Sequence, residues 1–79
     1  MENFVYLIIS NYEDRYKVHS VATKDKAQEV FNMLDSGKPE NYIKEKVQPF
    51  NFKYYALDTE GNKVFKEQLY MEKRPVYGA

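Results

Sequence analysis

The sequence predicts an α+β domain of two layers, an antiparallel three- to four-stranded sheet covered on one face by one main helix. Three observations carry this. The run Phe4-Val5-Tyr6-Leu7-Ile8-Ile9 is apolar at both parities, as a strand in the middle of its sheet is. Ala27, Val30, Phe31 and Leu34 recur at i, i+3, i+4 and i+7, one apolar stripe at helical period. Two later segments, Phe50–Asp58 and Lys63–Met71, alternate apolar and polar residues across a Gly-containing turn.

Taken in order, Phe4 to Ile9 is the first strand and Ser10 to Arg15 a polar break with Asn and Asp at turn positions. Tyr16 to Ala22 is the second strand, with Tyr16, Val18 and Ala22 on one side and Lys17 and His19 opposite. So short a connection demands an antiparallel hairpin. A helix follows from Lys24 to Ser36, capped by Thr23 or Asp25; Asp25 and Gln28 have capping-box spacing. Gly37 suits a left-handed helix end, and Pro39 prevents continuation.

For Pro39 to Val47 a short second helix is the preferred reading, with Glu40 and Lys44 paired at i+4 and Ile43 and Val47 on one face. An extended Ile43–Val47 is the alternative. In the next strand Phe50, Phe52, Tyr54 and Ala56 alternate with Asn51, Lys53, Tyr55 and Leu57. Asp58 to Asn62 is a turn in which Gly61 is free to take positive φ. The last strand carries Phe65, Leu69 and Met71 on one side and Lys66, Gln68 and Tyr70 on the other. The order is therefore strand-strand-helix-(short helix)-strand-strand, a single domain over 1–71 with a flexible C-terminal tail over 72–79.

Composition narrows the function. Twelve basic and twelve acidic residues cancel, which disfavours both an acidic DNA mimic and a protein that holds DNA by net positive charge. The chain has no cysteine and one histidine, so disulfides and Cys/His zinc sites are excluded. No apolar run is long enough to span a bilayer and no signal peptide is legible, so the expected location is cytoplasmic. At 79 residues the core is small, and self-association is the remaining general route to added stability. Homo-oligomerisation is as expected as not.

No residue pattern names a reaction. His19 is the one side chain that titrates near neutrality unaided, and neither Asp14 nor Ser20 can be placed beside it from the sequence. With glycines only at 37, 61 and 78, no phosphate-binding glycine motif exists. The expectation is a protein that is not an enzyme and needs no cofactor. Tyrosine is the unusual feature, eight in the chain with no tryptophan. Tyr12, Tyr55, Tyr70 and Tyr77, with Arg74, are the candidate partner-binding residues, since tyrosine and arginine are favoured at interfaces. The alternation also predicts a helix-free sheet face bearing Lys17, His19, Lys53, Tyr55, Lys66, Gln68 and Tyr70 and no carboxylate. Lys17, His19, Lys53 and Lys66 would then form a surface for an anionic ligand or single-stranded nucleic acid.

The first strand, the polar hairpin and the junction Val21-Ala22-Thr23-Lys24-Asp25-Lys26-Ala27 leading into the helix resemble small proteins common in phage and prophage genomes. In those, a strand hairpin runs through a "(V/F)-x-(S/T)-K-x-K-A" junction into a single helix. The resemblance covers about residues 4 to 35 and carries over no functional residue. It implies a context in which small cysteine-free proteins bind and block host machinery, including restriction and CRISPR defences. Three expectations follow. The first is a non-enzymatic inhibitor of a host protein. The second is a single-stranded nucleic-acid-binding module. The third is a homo-oligomer that sequesters a small anionic ligand such as a nucleotide.

Overall fold

The computed structural model describes residues 4–75, with only the backbone described at 20–22. Its elements run β1 (Phe4–Asn11), β2 (Tyr16–Ala22), α1 (Lys24–Ser36), β3 (Ile43–Gln48), β4 (Asn51–Leu57) and β5 (Lys63–Pro75). The five strands form one antiparallel sheet in the order β2-β1-β5-β4-β3, and α1 packs on one face of it. The α+β class, the antiparallel sheet and the single main helix are as the sequence predicts; the sheet has five strands.

The extra strand is β3. Ile43–Gln48 is extended and pairs with β4, so the preferred short helix over Pro39–Val47 gives way to the extended alternative. The physical reason is the Pro49-Phe50 corner. Gln48 pairs with Asn51 across it, which closes a tight hairpin and draws Ile43–Lys46 alongside Phe52–Tyr55. Proline presets the first corner position, and in a type II turn the second takes positive φ. Phe50 does so at φ 58°, the one non-glycine residue with positive φ among those described.

Compensation is visible on both sides of that residue. The Phe50 ring meets Phe31 edge-on at 5.2 Å between centroids, and its carbonyl accepts the Met71 amide at 2.9 Å. Both Phe50→Ala and Phe50→Gly should lose stability with the ring. Glycine adopts positive φ without the steric penalty of a Cβ, so Phe50→Gly should melt above Phe50→Ala, by about 1 kcal/mol. Equal or reversed midpoints in a urea titration would place no strain at this corner.

The core is the set Ile8, Ala27, Phe31, Tyr54 and Leu69, with Tyr6, Val30, Leu34, Tyr42, Phe50, Phe52 and Met71 packed around it. It joins the stripe of α1 to the inner face of β1, β5 and β4. Helix α1 has the predicted bounds. Thr23 occupies the N-cap position without a side-chain cap, and Gly37 ends the helix at φ −86° rather than in the left-handed region. The predicted turn at Asp58 is present, its carboxylate accepting the amides of Glu60 and Asn62, with Gly61 at φ 85°.

Two boundaries move. Ser10 and Asn11 belong to β1, so the polar break is shorter than its composition suggests. Strand β5 continues through Glu72–Pro75, which pairs with Phe4–Leu7 and was expected to be free tail. The rest of that tail, 76–79, lies outside the described residues.

Candidate functional site

Two arrangements concentrate side chains of functional type. The first is the open face of the sheet, opposite α1. Alternation from the core residues places Val5, Leu7 and Ile9 of β1 there, with Gln68, Tyr70, Glu72 and Arg74 of β5 and Asn51, Lys53 and Tyr55 of β4. The registers line these up in rows. Val18, Ile9, Tyr70 and Asn51 run across four strands, and Tyr16, Asn11, Gln68, Lys53 and Glu45 run across all five. Ile9 is buried even on this face, which no other described element covers, and Leu7, Tyr55 and Tyr70 are half-buried. Ile9, Asn11, Tyr16, Tyr70, Glu72 and Arg74 line a shallow groove of about 270 Å³.

This face differs from its predicted composition. Lys53, Tyr55, Gln68 and Tyr70 are on it as expected. Lys17 and His19 are not; they lie on the helix side, where Lys17 pairs with Ser10 and His19 bonds to Ser10. Strand β2 was therefore assigned to the wrong parity, and a β-bulge there, opposite Ile8 and Ile9, hides the register from simple alternation.

A second irregularity lies between Tyr54 and Tyr55. Tyr54 pairs with Glu67 and Tyr55 with Phe65, so Lys66 is the exposed extra residue and Phe65 turns to the open face. There its ring meets Tyr55 edge-on at 6.0 Å, and the Lys63 amine lies 4.8 Å above the Tyr55 ring. Glu45 and Glu72 supply the carboxylates that the predicted face lacked. The four expected cations are thus not brought together, and the face is charge-balanced, apolar at its centre and aromatic at one end.

Of the expected partner-binding residues, Tyr55, Tyr70 and Arg74 share the open face, and Arg74 pairs with Glu72 at 3.1 Å. Tyr12 sits in the β1–β2 turn, beneath the Arg15 guanidinium at 5.1 Å, away from the other three. Tyr77 lies outside the described residues.

The second arrangement went unread in the sequence. On the helix side, His19 Nε2 lies 2.5 Å from Ser10 Oγ. Ser10 in turn donates to Glu67, and Lys38 Nζ donates to the other Glu67 oxygen at 2.6 Å. Ser10 and Glu67 are buried. Beside them Tyr54 donates to Asp35 at 2.7 Å, and Asp35 pairs with Lys44 at 3.1 Å. Burial, followed by the Asp35 hydrogen bond, pushes the Tyr54 phenol well above its ordinary value.

Serine, histidine and glutamate in contact invite comparison with a hydrolytic triad, and the proton directions oppose it. Glu67 accepts at both oxygens, so the single Ser10 proton points at Glu67 and His19 must donate from Nε2. A general base needs its lone pair on that nitrogen. Ser10 is also fully buried, out of reach of a substrate. The chemistry of the cluster is a relay of donors ending on one interior carboxylate. Asp14 and Ser20 were the partners considered for His19 in the sequence; the bond goes to Ser10, nine residues away.

Burial lowers the His19 pKa from its ordinary 6.5, as do Lys17 and Lys38, against an opposing effect of Glu67. The unfolded chain therefore takes up the proton more readily than the folded one. The stability this group contributes is full above 6.5 and falls as pH drops from 6.5 toward the lowered value. His19→Gln can keep a donor on Ser10 and removes the titration. It should flatten the decline in stability as pH falls below 6.5 in urea titrations at several pH values. An unchanged slope would assign the decline to other groups.

Comparison with protein-family models, with curated proteins and with solved structures finds no match for the chain. Among the described residues there is no group of three side chains placed to hold a metal ion, and no helix long and apolar enough to cross a membrane.

Proposed function

We propose that the protein is a non-enzymatic protein-binding module that docks through the open face of its sheet, acting as a phage-type inhibitor that occupies a surface of a host protein. One observation carries the reading. The face that no described residue covers presents Leu7, Val18 and Tyr70 around the buried Ile9, edged by Lys53, Glu45, Glu72 and Arg74 in balance. An apolar, aromatic centre with a polar rim is the anatomy of a protein interface. A nucleic-acid groove would instead need cations along a track. The loss of Lys17 and His19 from this face and the presence of two carboxylates weigh against the nucleic-acid reading and against sequestration of an anionic ligand.

The test is recovery from a bacterial lysate on immobilised protein, with and without nuclease, comparing the parent with Tyr70→Ala and with Tyr55→Ala. The expected result is one stoichiometric protein, insensitive to nuclease, retained by the parent and lost with Tyr70→Ala. Loss of an interface ring commonly weakens binding by about 2 kcal/mol or more. Recovery that depends on nucleic acid, with salt-sensitive binding to labelled single-stranded oligonucleotides, would replace this reading with the nucleic-acid one.

A further inference from the structure

The helix layer is half filled. Helix α1 lies over β2, β1 and β5 and reaches β4 through side chains, Phe31 against Phe52 and Asp35 on Tyr54, while β3 lies beyond it. Lys38 and Tyr42 pack over Tyr54, so the part left open among the described residues is β3 with the Phe50–Phe52 end of β4. That end of the sheet holds a groove of about 530 Å³ lined by Asn32, Lys46, Gln48, Pro49, Phe50 and Phe52. Phe50 and Phe52 are half-buried there and braced from within by Phe31, whose ring meets them at 5.2 and 5.1 Å.

The groove's charge is one-sided. The Lys44 and Lys46 amines lie 4.8 and 5.6 Å from the Phe52 ring centre, and none of the lining residues is acidic. Lys44 has Asp35 as a partner; Lys46 has no ion pair among the described residues. A second copy of the chain fits poorly. Antiparallel pairing of the β3 edge with itself, centred on Glu45, would set Glu45 against Glu45 and Lys44 against Lys46. Helix α1 has its own apolar stripe committed, with Ala27 and Phe31 buried.

We propose that this groove binds an acidic amphipathic helix of a partner protein, laid beside α1. Its apolar residues cover Phe50 and Phe52, and its carboxylates draw Lys46 and Lys44 off the Phe52 ring. The site is on the opposite side of the sheet from the open face and does not rest on that reading.

The probe is a stapled peptide of about 18 residues, about five helical turns, with leucines along one face and glutamates flanking them. It is titrated into the full chain and followed by amide NMR shifts. The expected shifts centre on Asn32, Lys46, Gln48, Phe50 and Phe52 and spare Leu7 and Tyr70. Affinity should fall about tenfold in Lys46→Glu and fall with added salt. A peptide with lysine in place of glutamate, which needs no variant of the protein, should not bind. No shifts at millimolar peptide, shifts centred on Leu7 and Tyr70, or equal affinity for the acidic and basic peptides would overturn the proposal. Groove shifts that depend on protein concentration without peptide would overturn it in favour of a second copy.

Discussion

Phe31→Ala should destabilise the protein by about 3–5 kcal/mol, the range for a buried ring truncated in a packed interior. Phe31 is fully buried, in one cluster with Ile8, Ala27, Tyr54 and Leu69. It also makes edge-on contacts with two further rings, Phe50 and Phe52, and each such pair adds about 0.5–1.5 kcal/mol beyond area burial. The loss therefore belongs at the upper end of the range. Small domains are stable by only about 5–15 kcal/mol in all, so much of that margin would go with one side chain.

Phe31→Leu retains most of the apolar volume and should cost far less. A circular-dichroism melt compares all three proteins. If Phe31→Ala melted with the parent, α1 would have to dock on the sheet through some other part of its stripe.

The same residue shows what was legible in the sequence. Helical periodicity alone names Phe31 and Leu34 as inward-facing, because a 13-residue helix repeats its face three times. Strands β4 and β5 yield to alternation as far as the bulge beside Tyr54, so Leu69 and Met71 are read correctly and Phe65 is not. A bulge adds one residue to one strand and leaves no mark on hydropathy, and two of them decide the composition of the open face. The β3 strand was ambiguous for a related reason. Ile43-Lys44-Glu45-Lys46-Val47 satisfies both periods, and only its tertiary pairing with β4 decides between them.

The polar cluster was not legible at all. Ser10 reads as the start of a loop, Lys38 as a residue after a helix, and Glu67 goes unnamed between Phe65 and Leu69 on the apolar side of its strand. They meet because β1 and β5 are neighbours at the sheet's centre, and the chain just beyond α1 comes down over that side. The one signal is Glu67 itself, which shares the parity of Leu69 and Met71, an acid on an apolar face.

That acid sets the second large effect. Lys38→Met should destabilise the fold by about 3 kcal/mol, because it removes the counter-charge of a buried carboxylate and leaves Glu67 with Ser10 as its neighbour in the cluster. The figure is the low end for an interior pair, since the Lys38 side chain keeps 17% of its exposure while Glu67 keeps 6%. Glu67→Gln should be milder: the amide can still accept from Ser10, and the Lys38 amine can turn toward water. Combining Lys38→Met with Glu67→Gln removes both charges together, so the double variant should be more stable than Lys38→Met alone.

That reversal distinguishes an interior pair from a surface one, which is worth about 0–1 kcal/mol and shows almost additive losses. Urea unfolding of the four proteins measures the cycle. A Lys38→Met loss below about 1 kcal/mol, with additive effects in the double variant, would mean that water reaches Glu67 and that the relay from His19 contributes nothing to holding the β1–β5 centre against α1.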